Sequence, residues 1–449
     1  MSLKSFEKLA IHGGSKLRNE PFGPRWVFGQ EEKDKLIEVI DEVIEFDFDN
    51  LNGKGWRSRN KVKEFCDIFA ARHNMKYAVP ANSATSAIHA AIAAIDPEPG
   101  SEVITTPVTD TGGVLGIMLQ NCVPVFADSE PLTMNIDPDD IERKITKKTV
   151  AIIATHIYGN PCDMGRILKI KEKYNIPVIE DCSQSHLAKY QGELVGTLGD
   201  IGIWSLGGKT LSTGQGGMLL TNSGKLATRA TGFVNKGVSV QTENRDGVDS
   251  PYGSTPPPRS TSTAPRNNYC SFLGAFYAMT DLEAAVGLAQ YEKWDEATRV
   301  RIRAAELLSE TVENLPGFTP PYVRSGDVHS YYVYPYRVNP EEAGITSDEF
   351  SKAVRAEGIP DCFGTYLDGK ALYKYPLFSE GKTYGNSSYP FIPDDDSGLK
   401  NYQNTSLPVI EKELPNTGSI LLRNSYTESD VMDIANAMKK VSNYFSSKV

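Results

Sequence analysis

A single lysine, Lys209, lies in the stretch SLGGKTLSTGQGGML (205–219), with Gly207 and Gly208 before it and Gly214, Gly216 and Gly217 after it. Two chemistries place a lysine in such a loop: gripping a nucleotide phosphate, or forming a Schiff base with an aldehyde. A phosphate loop of the G-x-x-x-x-G-K-[ST] type needs glycine at position 203. That position is Ile203, and glycines continue where the phosphate loop would start its helix. A Schiff base with pyridoxal phosphate needs three other supports. These are a carboxylate that keeps the ring nitrogen protonated, donors at a helix start for the phosphate, and a hydrogen-bonding group for the ring hydroxyl. The sequence offers them in order. NSATSA (82–87) opens a helical run with small residues and hydroxyls at its positive end. VIEDCSQSHLA (178–188) ends an apolar run in Glu180 and Asp181, followed by Gln184, and Lys209 comes after the next apolar run.

Short β-rich segments carry these residues: EVITTP (102–107), VPVFAD (123–128), TVAIIATH (149–156), IPVIED (176–181), DIGIWSL (200–206) and GGMLLT (216–221). Helical patterns lie between several of them, ATSAIHAAIAAI (84–95) with Asn82 or Ser83 as N-cap and MGRILKIKEKYN (164–175) among them. Near-continuous apolar strands separated by helices predict an α/β fold with a mostly parallel sheet covered on both faces. Ligands of such sheets sit at the carboxyl ends of the strands. Residues 240–268 are rich in Ser, Thr, Pro and Gly and predict a long loop. From 281 the chain reads as a long helix to 315, then mixed segments and a last helix over 429–445. The expected organisation is an N-terminal segment (1–60) at the site's edge, a large cofactor-binding domain (61–300) and a smaller C-terminal α+β domain (301–449).

The chain has 449 residues, 40 % hydrophobic and 23 % charged, with a net charge of −10. An acidic chain without a long basic run is a poor candidate for nucleic-acid or anionic-membrane binding. No apolar run reaches the roughly 18 residues of a spanning helix and no signal-like N-terminus is present, so a cytoplasmic protein is expected. The six cysteines and six histidines show no metal-ligand spacing, and the thiols are expected to be reduced.

The motifs NSATSAIHAA, VPVFAD, ATHIYGNPCDM, VIEDCSQSHLAKYQG, GGKTLSTGQGGMLLTN and MTDLEAAVGLAQYEKWDE, with AIHGGSKLRNEPFGPRWVFG near the start, resemble those of the DegT/DnrJ/StrS-type aminotransferases. The resemblance runs over nearly the whole chain. It implies pyridoxal 5'-phosphate as cofactor, the aspartate-aminotransferase fold and a homodimer with each active site at the interface. Its small-molecule substrates would be an amino-acid donor, L-glutamate or L-glutamine, and a keto-sugar or keto-cyclitol acceptor. Carried over by position, Lys209 is the Schiff-base lysine and Asp181 the partner of the ring nitrogen. Gln184 lies near the ring hydroxyl, Ala84 and Thr85 are phosphate donors, and Ser205 is the serine phosphate ligand. Asp110, in TPVTDTGG (106–113), stands where an aromatic residue often stacks on the ring. His186 follows Gln184 and is read mainly as a local hydrogen-bonding residue, with contact to substrate as the alternative.

The sequence departs from the family at GAFYAM (274–279), where Phe276 and Ala278 replace the family's Asn and Arg. Asn268, with Arg266 and Asn267 beside it, is the expected substitute phosphate ligand. Arg59, with Trp56 and Arg57 in GWRSRN (55–60), is the expected cation for the donor's carboxylate. The alternatives are elimination or cyclisation with the same cofactor, and a non-catalytic relative that keeps the fold.

Overall fold

The computed structural model describes residues 8–45, 60–237, 270–391 and 402–447. Two helices, α1 (Gln30–Glu45) and α2 (Asn60–Arg72), precede the first strand. The strands are β1 (Tyr77–Ala81), β2 (Glu102–Thr105), β3 (Val123–Phe126), β4 (Thr149–Thr155), β5 (Val178–Asp181), the hairpin β6 (Lys189–Tyr190) and β7 (Glu193–Leu194), β8 (Ile201–Ser205) and β9 (Gly217–Thr221). All but the hairpin form one sheet in the order β1-β9-β8-β5-β4-β2-β3. The pairs from β8 to β3 are parallel, while β9 runs antiparallel to β8 and β1. The central strands are buried on both faces, which is why they read as unbroken apolar runs rather than alternating ones.

Helix α3 (Ala84–Ile95) starts where the sequence signals it. Ser83 takes extended backbone angles and its hydroxyl accepts the Ser86 amide at 3.1 Å. Nearly all of α3 is buried, and its alanines let it lie close against the sheet. The long helix expected over 281–315 is instead two, Asp281–Glu292 and Trp294–Val312. At the break, Lys293 reaches Glu31 and Glu32 near α1, and Trp294 turns fully inward to stack on Phe69 at 5.3 Å.

A second sheet follows, β10 (Phe318–Thr319), β11 (Val333–Val338), β12 (Cys362–Phe363) and β13 (Thr417–Leu421), in the order β10-β11-β13-β12 and all antiparallel. It packs with the helices Trp294–Val312, Ser347–Ala356 and Glu428–Ser446 around its own core. The segment between β12 and β13 does not join that core. Leu372, Tyr373, Phe378, Phe391 and Tyr402 pack instead into the core of the large sheet around Phe126. Tyr402 Oη donates to the Pro124 carbonyl at 2.6 Å, and Leu372 N to that of Pro107 at 2.9 Å. No helix among the described residues is long and apolar enough to cross a membrane. All six cysteines are free thiols, and five are buried.

Candidate active site

Strand alternation separates the two acids that end β5. Glu180 is fully buried and saturated: its carboxylate meets His156 Nε2 at 3.1 Å and accepts the amides of Gly196, Leu198 and Gly199 at 2.8, 2.8 and 2.6 Å. It ties down the turn that leads into β8. Asp181 is only 2 % exposed and accepts the Ser183 amide at 3.0 Å and the Thr155 hydroxyl at 3.5 Å. Among the described residues no cation pairs with it. A buried carboxylate with so little compensation calls for a positive partner.

Across from it, the start of α3 is built to receive an anion. The amides of Ala84 and Thr85 have no acceptor among the described residues, as the first turn of a helix requires. Glycine makes the approach possible. A side-chain carbon on Gly217 would stand 2.3 Å from the Ser83 carbonyl oxygen, and one on Gly112 would stand 2.3 Å from Thr85 Oγ1. Asp110 accepts the Gly112 amide at 2.8 Å and so holds that turn against Thr85. Ser205 ends β8, and its hydroxyl faces the Gly207 amide at 3.4 Å.

Lys209 stands on the loop between β8 and β9. Gly208 before it has φ +65°, and a side-chain carbon there would come within 3.1 Å of the Trp26 ring. Both facts require glycine. Ser212 Oγ accepts the amides of Gly208 and Gly214 at 3.1 and 3.2 Å, which closes the loop on itself. His186 is the loop's second brace. Its Nε2 donates to the Ser205 carbonyl at 2.9 Å, and its Nδ1 accepts the Leu211 amide at 3.4 Å. Burial pulls its pKa down to about 3, so the ring is neutral. This favours the local hydrogen-bonding role over contact with substrate: His186 is 1 % exposed and both ring nitrogens are spent on backbone.

Gln184 is likewise anchored. Its Oε1 accepts the Tyr158 amide at 2.8 Å. Arg59, Trp56 and Asn268, with Arg57, Arg266 and Asn267, lie outside the described residues. The GAFYAM segment passes beside α3: the Tyr277 carbonyl accepts the Asn82 amide at 2.8 Å, while Phe276 is half exposed.

Three residues around Lys209 carried no role in the sequence. Lys209 Nζ is 4.1 Å from the centre of the Tyr332 ring. Arg25 Nη2 donates to the Tyr332 hydroxyl at 3.1 Å. Burial raises the Tyr332 pKa, but the charges of Lys209 and Arg25 outweigh it and leave it below the usual tyrosine value. Behind them Arg301 is fully buried with no carboxylate: Nε donates to Asn424 Oδ1 at 2.8 Å and Nη1 to the Tyr332 carbonyl at 3.1 Å. Burial, then the nearby Arg25, lower its pKa to about 9, so it stays charged at neutral pH. The adjacent Arg25–Trp26 and Tyr331–Tyr332 pairs were the available signals, although no periodicity marks them.

A lysine in a glycine loop, a buried acid at a strand end and free amides at a helix start thus meet at the carboxyl edge of the sheet. A family profile described as DegT/DnrJ/EryC1/StrS aminotransferase matches residues 40–391. The chain belongs to that family. A putative L-glutamine:3-amino-2,3-dideoxy-scyllo-inosose aminotransferase from Streptoalloteichus tenebrarius is 31 % identical over 417 residues, covering 90 % of each chain. GDP-perosamine synthase from Escherichia coli O157:H7 is 33 % identical over 286 residues, 64 % of this chain and 69 % of that one. The aminotransferase of Psychrobacter cryohalolentis has the same fold, with a TM-score of 0.75 at 25 % identity, covering 95 % of this chain and all of the other. The aminotransferase described here therefore has the mostly parallel α/β architecture expected of it.

Proposed function

We propose that this aminotransferase uses pyridoxal phosphate to move an amino group from L-glutamate or L-glutamine to a keto-sugar or keto-cyclitol. The observation that carries the reading is a charge mismatch. Asp181 is a buried anion without a cation, and Lys209 a cation without an anion, on neighbouring strand ends. A pyridinium nitrogen for Asp181, an aldehyde for Lys209 and a phosphate for the amides of Ala84 and Thr85 fit these residues. Thr85 and Ser205 would line the phosphate end, Asp110 would approach the ring, and Gln184 would stand near the ring hydroxyl.

When bound, the cofactor supplies an electron-withdrawing ring that stabilises the carbanion left by loss of the donor's α-proton. Lys209 Nζ would take that proton and, in the second half of the cycle, deliver one to the acceptor carbon. Asp181 holds the ring nitrogen's proton throughout. His186 keeps the Lys209 loop in place and takes no part in proton transfer. The names of the cyclitol and perosamine relatives support the acceptor class, and the L-glutamine in the former supports the donor.

A homodimer in the cytoplasm completes the reading. Ile37, Ile40 and Ile44 lie exposed on one face of α1, and Leu273 is 85 % exposed beside Phe276, which is the apolar surface a second copy would cover. Domains of 61–300 and 301–449, with 1–60 at the site's edge, remain the proposed division. The test is to load purified protein with pyridoxal phosphate and follow its visible absorbance as L-glutamate or L-glutamine is added. Visible absorbance that depends on Lys209, and bleaching by one of the two donors, is the expected result. No lysine-dependent absorbance, or absorbance indifferent to both donors, would refute the proposal.

A further inference from the structure

Arg25 has no assigned role, yet its surroundings are specific. It lies 184 residues before Lys209 in the chain, on the segment that also supplies Trp26 against Gly208. Among the described residues no carboxylate pairs with it. Its Nε is shut off from water without a partner, and Nη2 is spent on Tyr332. Its planar group lies 4.8 Å from the Trp26 ring centre and 5.4 Å from that of Tyr332. Lys209 and Arg25 therefore both face the Tyr332 ring, and the buried Arg301 bonds that residue's carbonyl, with no carboxylate paired to any of the three among the described residues. Like charges gathered without a counter-ion are costly, and a bound anion removes the cost.

The geometry also says which anion. The phosphate end of the site has its own donors, at the start of α3. Lys209 Nζ must reach the α-carbon of an amino acid, and that carbon carries a carboxylate one bond away. A cation bonded to the hydroxyl of the ring that Lys209 faces is placed to hold it. Guanidinium suits the task, because its planar fork binds both carboxylate oxygens.

We propose that Arg25, positioned by Tyr332 and Trp26, binds the carboxylate of the amino-acid donor and of its keto-acid product. The inference rests on the aminotransferase reading above and assigns to Arg25 the role expected of Arg59. The segment is fixed for it. Arg423 Nη1 donates to the Gly23 carbonyl at 2.8 Å, Ser425 Oγ to that of Pro24 at 2.6 Å, and Asn424 N to that of Arg25 at 3.0 Å. Arg25 thus approaches the lysine on a held backbone, so little ordering is left for binding to impose.

The test measures binding without turnover. Glutarate, a dicarboxylate with no amine, is titrated by calorimetry into the pyridoxal-phosphate-loaded protein and into Arg25→Gln and Arg25→Lys variants loaded alike. Lysine-dependent visible absorbance checks that each variant folds and keeps its cofactor. The expected result is glutarate binding to the wild type, at least about tenfold weaker binding to Arg25→Gln with cofactor affinity unchanged, and partial recovery in Arg25→Lys. Equal glutarate affinity in wild type and Arg25→Gln, or no glutarate binding to loaded wild type, overturns the Arg25 inference while leaving the cofactor reading standing. Wild type that never acquires lysine-dependent absorbance overturns both.

Discussion

Replacing Asn424 by alanine tests the support beneath Lys209. Asn424 is 8 % exposed, and each end of its amide is used. Oδ1 accepts Arg301 Nε at 2.8 Å, and Nδ2 donates to the carbonyl of Thr210, the residue after Lys209, at 3.0 Å. The first bond compensates a fully buried charge, whose remaining bonds go to the carbonyls of Tyr331 and Tyr332 at 3.5 and 3.1 Å. A hydrogen bond to a charged group contributes about 1.5–3 kcal/mol, and a neutral one about 0.5–1.5 kcal/mol. Asn424→Ala should therefore cost about 2–4.5 kcal/mol. Urea unfolding of the cofactor-free protein at one fixed protein concentration, followed by tryptophan fluorescence, measures it. Asn424→Asp separates the two halves. It keeps an acceptor for Arg301, now charged, and loses the donor to Thr210, so its stability loss should be smaller than that of alanine. A loss below about 1 kcal/mol in Asn424→Ala, or a larger loss in Asn424→Asp than in Asn424→Ala, would refute the claim that Arg301 depends on this amide.

Gly208→Ala should destabilise the protein by roughly 1–2 kcal/mol, since a left-handed backbone is unfavourable for an L-residue, and should loosen cofactor retention by displacing Trp26. Dialysis of the loaded protein, followed by visible absorbance, reads the second effect. Three buried histidines set an acid limit. Burial lowers His73 to about 4, His186 to about 3 and His329 to about 3. Because each binds its proton more readily when unfolded, with a pKa near 6.5, their contribution is complete above that pH and is lost as pH falls towards 3–4. Each should cost about 2 kcal/mol by pH 5, and the fall in melting temperature from pH 7 to 5 should be shallower in His329→Phe.

The sheet and the start of α3 were legible because their signals are local. Ser83 before ATSAIHAAIAAI fixes the helix, and apolar runs ending in Asp181 and Ser205 fix the strand ends. Glu180 and Asp181 could not be told apart by type, although alternation along β5 divides their roles. The hydrogen-bonding role of His186 was legible, but its two partners, Ser205 and Leu211, come to its ring only in the folded loop. Arg25 and Tyr332 escaped for a different reason. They are 307 residues apart in the chain, one arginine among apolar and aromatic neighbours and one tyrosine in a run of them, so no spacing singles either out. Leu372, Tyr373, Phe378, Phe391 and Tyr402, which fill the core around Phe126, are spaced irregularly in the sequence, so no period announces which sheet they cover.

The turn at 423–425 has a consequence in time. It holds the Gly23–Arg25 backbone and, through Asn424, the carbonyl beside Lys209; Arg423 and Gly23 are 400 residues apart. During synthesis the segment around Gly23–Arg25 must wait for the turn at 423–425, made 400 residues later, before it can be seated. Contacts of such long sequence separation form late. A nascent chain stalled before residue 423 would have its sheet and its lysine, but not the clasp that brings Arg25 to them.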